Sequence, residues 1–600
     1  MKWTDKQLKA IETRNQNILV SAAAGSGKTA VLVERILRLV LEENINVNEL
    51  LVVTFTKAAA SEMKQKLIKA IKNRLTEGKG NVEFLRKQLE LMPKALISTF
   101  HSFALDVIRN YYYVIDINPS LKIADEIEAE LLKNKALDEV FENEFNREDN
   151  DDFIEFLNAY SSHKNENKVK ETILSLYNRI MAMPKPYKWI KDAVDGMDVY
   201  KGDYKMTELY SLIISDIKGS LNRAFEYKVA AIDTLKEYGL ERLALNQKTD
   251  LDYIDNIIKL MDTDKVDVAF DMINEYKSKV LRANKDEKDT YEMIKDTVAA
   301  FRKNSNEELK YIKNYYMATD LDRLFLDIYE TKPRLEVLKN LILKFDDLYK
   351  QFKEDKKLMD FNDIEHFAID ILENDDVASE YREKIKYIFI DEYQDSNFLQ
   401  EVIIDKIKRD NNLFLVGDIK QSIYRFRLAE PSIFQNRYAQ YKDVTNVNST
   451  KIDLNQNFRS KKPVLDFVNG LFKFIMDGYD DDAALYLGAK SKEEFNFKTE
   501  LYLVNREKSL IAEDEVDEEL LDLKAAQVEA IMTVKRIKEL IGTSYYDHKE
   551  DKVKTVSYKD IVILMRGIKK WGDIFQDVLT QNDVPVYLNN NSGYFESLEI

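Results

Sequence analysis

The sequence predicts an α/β protein with two parallel-sheet domains, the first of which is interrupted by a large all-helical insertion. Apolar runs alternate with helical patterns from residue 17 to 112 and again from residue 387 onward, which is typical of parallel sheets. Residues 125–357 between them have helical spacing almost without Gly or Pro. The 600 residues include only 16 Gly and 8 Pro, where average usage would give about 42 and 30. This scarcity favours long helices.

Composition excludes several classes of protein. The chain contains no Cys, which excludes disulfides, thiolate zinc sites, iron–sulfur clusters and Cys nucleophiles and predicts a reducing, cytoplasmic setting. Only four His occur, scattered singly, so any metal is expected to have oxygen ligands. No apolar stretch approaches the roughly 20 residues that cross a bilayer, and no membrane partner is expected. The net charge of −17 does not exclude a nucleic-acid partner, because an acidic shell can surround a basic groove.

The elements of the first domain follow one another in a regular order. The first half is predicted to contain a strand at 18–20, a Gly-rich turn at 25–29, a helix at 30–41, a strand at 50–55, a helix at 57–74, a strand at 95–98 and a helix at 100–112. After the helical stretch come a strand at 387–390, a helix at 397–408 and a strand at 413–416. Because one sheet with a helical insert explains both the interruption and the resumption, we expect the two halves to complete a single sheet.

Domain boundaries follow from these changes of pattern. We predict a first domain at 1–120 and 358–450, a helical insertion at 121–357 and a second α/β domain at 451–600. The second domain is expected to contain an apolar strand at 560–565. The sequence reaches Ile600 in what resembles the first turn of a helix, so we expect this second domain to be incomplete in the chain.

A Gly-rich loop with the spacing of a phosphate-binding loop joins the first strand to the first helix. It departs from G-x-x-x-x-G-K-[ST] only at Ala22, where Gly usually stands. Its glycines permit close backbone approach, Lys28 can reach the β- and γ-phosphate oxygens, and Thr29 can ligate Mg²⁺. The predicted nucleotide-binding residues are Ala22, Ala23, Ala24, Gly25, Ser26, Gly27, Lys28 and Thr29. A chance Gly-rich helix start is the alternative, which the strand–loop–helix context disfavours.

Two carboxylates follow the apolar strand at 387–390. Asp391 is predicted to hold Mg²⁺, directly or through water, and Glu392 to polarise the attacking water. Acidic residues at a strand end are often only a solvated turn, but together with the phosphate loop they favour hydrolysis. Asp391 lies so far from Lys28 in sequence that one compact domain can hold both only if an insertion separates them.

A third motif follows the strand at 413–416. Gln421 could set an amide near the γ-phosphate, and the next residues offer base-stacking faces and phosphate-binding cations. These are Tyr424, Arg425, Phe426 and Arg427. A core aromatic pair with surface arginines is an equally good interpretation of that spacing.

A fourth motif, at 455–460, begins the predicted second domain. Arg459 delivered from there onto a nucleotide held by the first domain would form an arginine finger, which couples domain closure to transition-state stabilisation. A surface Arg before a helix is the alternative interpretation.

In their order and in their residues, these motifs resemble those of the UvrD-like helicases of superfamily one from Met1 to Ile600. The resemblance to the AddA chains of AddAB-type helicase–nucleases is closer still. The strings that carry the resemblance lie at 3–7, 22–35, 53–57, 98–103, 360–363, 391–400, 416–434 and 457–460. The resemblance implies two RecA-like domains of the P-loop NTPase class that use ATP and Mg²⁺.

The resemblance also implies roles for single residues. Gln7 would recognise the adenine edge and Phe458 would stack on the base. The triphosphate would be served by Lys28, Thr29, Asp391, Glu392, Gln421 and Arg459, with Lys28, Glu392, Gln421 and Arg459 catalytic and Thr29 and Asp391 on the metal. The single-stranded DNA track would comprise Phe55, Thr56, Thr99, His101, Tyr424, Phe426 and Arg427. For His101, a turn histidine satisfied by its neighbours is an equally good interpretation.

The family's activity is an ATP-dependent 3′ to 5′ DNA helicase and translocase acting on single- and double-stranded DNA ends, in double-strand break repair by homologous recombination. The resemblance implies an AddB-like partner, the B subunit of a heterodimer. It also implies a C-terminal nuclease domain in the intact protein, which nothing in these residues resembles. Later helicase motifs, including a second arginine at the γ-phosphate, are expected beyond Ile600, which would leave the ATPase site incomplete.

Two other functions stay open from the sequence. One is a P-loop ATPase switch or clamp that DNA regulates and that separates no strands. The other is a helical protein-interaction scaffold with a degenerate nucleotide site. Intact Lys28, Asp391, Glu392 and Gln421 argue against degeneracy.

Overall fold

The computed structural model describes residues 3–588 apart from 79–80, 162–165, 264, 318–319, 444, 446, 477, 489–497, 505–517, 548–549 and 551. The chain forms two compact units. The first unit comprises Met1–Phe100, Glu380–Ser396 and Ile407–Ile600, and the second comprises His101–Ser379 and Asn397–Lys406.

The α-helices among the described residues are α1 Asp5–Glu12, α2 Lys28–Glu42, α3 Lys57–Thr76, α4 Val82–Leu91, α5 Phe100–Tyr111, α6 Glu126–Phe145, α7 Asp151–Tyr160, α8 Asn167–Ile180, α9 Pro186–Asp195, α10 Glu208–Glu237, α11 Glu241–Met261, α12 Val266–Glu275, α13 Lys288–Tyr316, α14 Leu321–Glu330, α15 Lys332–Lys356, α16 Phe361–Leu372, α17 Asp375–Lys384, α18 Phe398–Ile407, α19 Pro431–Lys442, α20 Lys462–Ile475, α21 Glu518–Leu540 and α22 Ile568–Gln581. The strands are β1 Asn17–Ala22, β2 Leu50–Val53, β3 Leu96–Ser98, β4 Lys122–Ile123, β5 Leu358–Met359, β6 Tyr387–Ile390, β7 Leu413–Gly417, β8 Ser449–Leu454, β9 Gln456–Asn457, β10 Tyr486–Leu487, β11 Ser544–Asp547 and β12 Lys552–Thr555.

The first unit is built on a six-stranded parallel sheet in the order β3-β2-β6-β7-β1-β8. Strands β6 and β7, which follow the helical stretch in sequence, lie between β2 and β1, so the two halves of the chain complete one sheet as predicted. Every residue of β2 and β7 is buried, as expected of central parallel strands covered on both faces. The carboxyl ends of these strands carry the sequence motifs.

Helices α1 to α4 pack on the sheet in one apolar cluster with β1, β2 and β7. Arg35 of α2 is buried within this cluster and donates from Nη1 to the carbonyl oxygen of Ala10 at 2.8 Å, with its guanidinium 4.7 Å from the Phe414 ring centre. Burial lowers the pKa of Arg35 to about 9. The backbone carbonyl supplies the partner that a buried cation requires.

The second unit consists almost wholly of helices in its described residues. Its long helix α10 packs against α11 and α13, and separate apolar clusters form around Phe153 and Phe345, around Ile254, and around Leu235. Within the described part of this unit, a single short ladder pairs β4 with β5, so the two ends of the predicted insertion at 121–357 lie side by side. The unit is larger than that prediction, because α5, α16 and most of α18 also belong to it.

The residues after β8 differ from the predicted second sheet. Their described part contains the two-residue pair β9–β10 and the antiparallel hairpin β11–β12, and no larger ladder. The prediction of a strand at 560–565 is wrong, because residues 561–565 form no ladder with any other described residue. The side chains of Val562 and Leu564 are 77% and 90% exposed. Apolar patterning predicts that a segment could pair, but a strand also needs neighbours for its backbone groups.

The predicted boundary between residues 450 and 451 falls inside β8. This strand pairs with β1 from Asn17–Ser449 to Ala22–Leu454, so the first sheet extends to Leu454. Among the described residues, no helix is both long and apolar enough to cross a membrane.

Candidate functional site

The Gly-rich loop connects β1 to α2 at the carboxyl edge of the sheet. Gly25 and Gly27 adopt positive φ angles of 69° and 86°, which side chains disfavour. Ala22 is the fully buried last residue of β1, so the departure from the usual Gly is accommodated inside the strand. The side-chain oxygen of Ser26 is buried and has no hydrogen-bond partner in the described residues. An orphaned donor in such a loop suits an incoming phosphate oxygen.

The segment after β8 clamps this loop. Asn457 Nδ2 donates to the carbonyl oxygen of Ala24 at 2.7 Å, and the Phe458 N–H donates to that of Gly25 at 2.9 Å. Asn457 Oδ1 accepts from the backbone N–H of Arg459 at 2.8 Å, which fixes the turn. A Cβ on Gly25 would lie 2.8 Å from Cβ of Arg459. The backbone of Arg459 is therefore held against the loop directly after the first sheet, and its side chain is exposed.

A cleft of about 450 Å³ opens beside the loop, with Gln7 and Phe458 in its wall. Thr4 caps α1 through reciprocal bonds with Gln7, and Gln7 Nε2 donates to the carbonyl oxygen of Ser26 at 3.0 Å. The Phe458 ring is 41% exposed and lies against Gly488, where a Cβ would be 2.7 Å from it. The volume is in the range of small-molecule sites, and the structure brings both predicted base-binding residues to it.

Lys28 and Glu392 form an ion pair with 2.9 Å between Nζ and Oε2. Lys28 is the first residue of α2, and Glu392 follows β6 with a positive φ of 55°. Burial, and then the neighbouring Glu392 carboxylate, raise the pKa of Asp391 to about 6. The same two causes raise the pKa of Asp395 to about 6. Two desolvated carboxylates, Asp391 and Asp395, therefore lie close enough to Lys28 to feel its charge.

This donor set fits a divalent cation. Asp391 and Thr29 offer hard oxygen atoms, which Mg²⁺ prefers. Burial, and then a second carboxylate, raise the pKa of Asp391, and added positive charge would stabilise such a carboxylate in its ionised form. Both predicted metal residues belong to the same edge of the sheet, at the start of α2 and at the end of β6.

Three neighbouring side chains were missed by the sequence analysis. Gln394 is 2% exposed and donates from Nε2 to Glu392 Oε2 at 2.8 Å, while its Oε1 accepts from the backbone N–H of Asp418 at 2.9 Å. Asp418 in turn accepts from Gln421 Nε2 at 2.7 Å and pairs with Lys420 at 2.8 Å. Gln421 therefore lies in the site, with its amide directed to Asp418. Asn457 is the third of these side chains. Each of the three lies within one of the sequence motifs, and this was the only signal in the sequence that could have identified it.

An aromatic row follows this network along the chain; it consists of Phe55, Tyr424 and Phe426. The rings of Phe55 and Tyr424 are 4.6 Å apart between centres, and those of Tyr424 and Phe426 are 5.8 Å apart. Phe426 is 77% exposed, so the row is not a buried core pair. The half-buried rings of Phe55 and Tyr424 thus continue into an exposed ring, and an exposed aromatic ring is suitable for stacking on a base.

The other predicted track residues have different surroundings. Thr56 caps α3 by accepting from the Ala59 N–H at 3.1 Å, and Thr99 follows β3. His101 belongs to the second unit, where its Nε2 is 3.7 Å from Glu365 Oε1 and its ring packs edge-on against Phe361. The side chain of Arg427 lies outside the described part of the structure.

The comparison with protein families agrees with this geometry. The pattern of the UvrD/REP helicase N-terminal domain matches residues 3–442, which include the phosphate loop, both carboxylates and the aromatic row. The chain therefore belongs to the UvrD/REP helicase family.

Curated relatives are similar along the whole chain. It is 36% identical over 609 residues to the A subunit of the ATP-dependent helicase/nuclease of Alkaliphilus oremlandii and 38% identical over 625 residues to that of Bacillus cereus. The protein of the same name from Listeria innocua is 36% identical over 620 residues. In each case the match covers 100% of this chain and 50% of the relative. The chain thus spans about half the length of the curated relatives it matches.

Proposed function

We propose that this chain is the ATP-driven motor portion of a helicase–nuclease, a 3′ to 5′ DNA translocase that separates strands. The observation that carries the proposal is the Lys28–Glu392 ion pair, joined through Gln394 to the segment that leads into the aromatic row. A nucleotide site and a stacking surface share one short stretch of chain between Asp418 and Phe426. The names of the relatives support the same activity.

Each predicted site residue has a role in this proposal. The loop N–H groups and Lys28 bind the β- and γ-phosphates, Gln7 and Phe458 take the base, and Arg459 faces the triphosphate. Glu392 accepts the proton of the attacking water, and Gln421 senses the γ-phosphate once its amide leaves Asp418. Mg²⁺, held by Thr29 and Asp391, would supply charge neutralisation on the phosphate oxygens.

Binding of ATP would draw Lys28 from Glu392 to the phosphates and free that carboxylate for water. The accompanying release of the Gln421 amide from Asp418 would be passed along the chain to Tyr424 and Phe426 and would move their rings along the bases, and hydrolysis would reverse it. The remaining track residues, Thr56, Thr99, His101 and Arg427, would contact the DNA backbone or bases. The order of the motifs along the chain supports this coupling.

The wider setting belongs to the same proposal. We assign residues after Leu454 to the second RecA-like domain and the helical unit to an insertion in the first. The names of the relatives denote one of at least two different subunits, which supports a heterodimer with an AddB-like partner that processes DNA ends in the cytoplasm during double-strand break repair. Nuclease activity would come from a domain outside these residues.

Two alternative functions have less support. A DNA-regulated ATPase switch would need the same nucleotide site but no strand separation. A scaffold with a degenerate site is opposed by the intact ion pair and the clamped loop.

Strand displacement tests the proposal. The natural protein that carries this sequence should unwind a duplex with a 3′ single-stranded tail in the presence of ATP and Mg²⁺, and should leave a 5′-tailed duplex paired. Lys28→Ala, the control, should abolish unwinding while largely keeping single-strand binding, because Lys28 belongs to the start of α2 and not to the aromatic row. ATP turnover without displacement of either duplex would favour the switch and contradict the helicase.

A further inference from the structure

Gln394 lies at the centre of the candidate site with both ends of its amide engaged. Its Nε2 donates to Glu392 Oε2 at 2.8 Å and approaches Asp395 Oδ2 at 3.3 Å, while its Oε1 accepts from the Asp418 backbone N–H at 2.9 Å. The orientation of the amide follows from chemistry, because a backbone N–H can only donate and must face the oxygen. The nitrogen is thereby directed at the carboxylates.

The position of this amide depends on the absence of a side chain at Gly417. A Cβ on Gly417 would lie 2.5 Å from Gln394 Oε1, so the amide occupies room that only a glycine leaves. The main chain of Gln394 is attached to the same segment, since its carbonyl oxygen accepts from the Ser422 hydroxyl at 3.2 Å. Both parts of the residue are therefore fixed to the chain between Gly417 and Ser422.

Lys28 and Gln394 donate to the same oxygen of Glu392. The lysine is a flexible point charge that a phosphate can draw away, whereas Gln394 is held at its other end by Asp418. Once a nucleotide takes Lys28, Gln394 is left as the donor that keeps the carboxylate oriented. A general base needs such orientation to meet the water at the reacting phosphorus.

We propose that Gln394 is a positioning residue that holds Glu392 in its productive orientation during ATP hydrolysis. This inference rests on the proposed function, since orientation matters only if Glu392 activates the water. It assigns no contact between Gln394 and the nucleotide.

Two substitutions separate orientation from packing. Gln394→Glu keeps the size and the acceptor for Asp418 but sets a second carboxylate against Glu392. Gln394→Met keeps the volume and removes both hydrogen bonds. Each should lower kcat for ATP hydrolysis by about tenfold to a hundredfold and change KM for ATP little, because phosphate binding belongs to the loop.

Gln88 offers a matched control in the same unit. It is fully buried, its Oε1 accepts from the Val47 N–H at 2.9 Å, and its Nε2 donates to Asn46 Oδ1 at 3.0 Å. Gln88→Glu and Gln88→Met should lower the melting temperature at least as much as the Gln394 variants. They should leave kcat per folded molecule unchanged.

The deciding experiment is a double-mutant cycle on kcat in the natural protein, with single-stranded DNA present. If Gln394 acts through Glu392, Gln394→Met should lower kcat by about tenfold or more in the wild-type background. In the Glu392→Gln background the same substitution should lower kcat by less than about twofold. Equal losses in both backgrounds, or variants with wild-type kcat, would overturn the inference and leave the proposed function standing. A wild-type protein that does not hydrolyse ATP would overturn both.

Discussion

At the scale of single residues, the phosphate loop depends on the absence of a side chain at Gly25. Its φ is 69°, and a Cβ there would lie 2.8 Å from both Cβ of Arg459 and Nδ2 of Asn457. Either the loop or the clamping segment would have to move to accept one. Residue 25 must therefore be glycine for two reasons: its backbone has a positive φ, and there is no room for a Cβ.

We expect Gly25→Ala to weaken ATP binding by at least about tenfold, since the loop amides would no longer converge on the phosphates. Gly78→Ala is the matched control: its φ is 65°, but a Cβ there meets nothing within 4 Å. Gly78→Ala should lower the free energy of unfolding by only about 1–2 kcal/mol, which is the strain of a left-handed alanine. It should leave nucleotide affinity unchanged. Titration with a fluorescent nucleotide measures both, and equal affinities in the two variants would contradict the clamp.

At the scale of elements, the aromatic row extends from the loop after β2 to the segment after β7. Its predicted function in binding single strands can be tested on Phe426, the most exposed of its rings. Phe426→Ala should raise the dissociation constant for single-stranded DNA by about 5-fold to 100-fold, the range for one lost base stack. Phe474→Ala on α20 removes a ring that is 90% exposed outside the row. If fluorescence anisotropy gives both variants the same affinity, the row is not the track.

Helix α10 contains a buried cation that the helical pattern did not predict. Lys228 is fully buried, 3.0 Å from Asp250, and Asp250 also accepts from the Ser278 hydroxyl at 3.1 Å. Burial lowers the pKa of Lys228. The helical unit is therefore held partly by a desolvated ion pair.

Lys228→Ala should lower the stability of the helical unit by about 3–5 kcal/mol, because it strands a buried carboxylate. Nucleotide binding in the other unit should not change. The exposed Lys248→Ala on α11 is the control and should cost less than about 0.5 kcal/mol. Urea unfolding followed by circular dichroism provides the comparison, and similar midpoints for the two variants would argue against the ion pair.

The sequence predicted the elements whose signals are local. The strand–loop–helix at Lys28 and the two strands after the insertion carry apolar runs and glycines at fixed spacing, and all of them form. The contacts of Gln394, Asn457 and Gly488 were not predictable, because their partners lie on other strands or loops and each residue looks ordinary in isolation. The strand prediction at 561–565 was wrong for the same reason, since an apolar pattern does not show whether a neighbouring strand is present to pair with it.

At the scale of the whole molecule, one sheet is assembled from two halves of the chain that are separated by a helical unit. The order of its strands places residues before and after the insertion next to each other, so Lys28 meets Glu392. That single arrangement gives both the family assignment and the proposed motor a physical basis.

The most direct test of the central claim is the steady-state rate of ATP hydrolysis by the natural protein with and without single-stranded DNA. The account predicts turnover within about 1–1,000 per second that rises when single strands are added and disappears in Lys28→Ala. Hydrolysis that ignores single-stranded DNA, or that survives Lys28→Ala, would contradict an ATP site coupled to a DNA track.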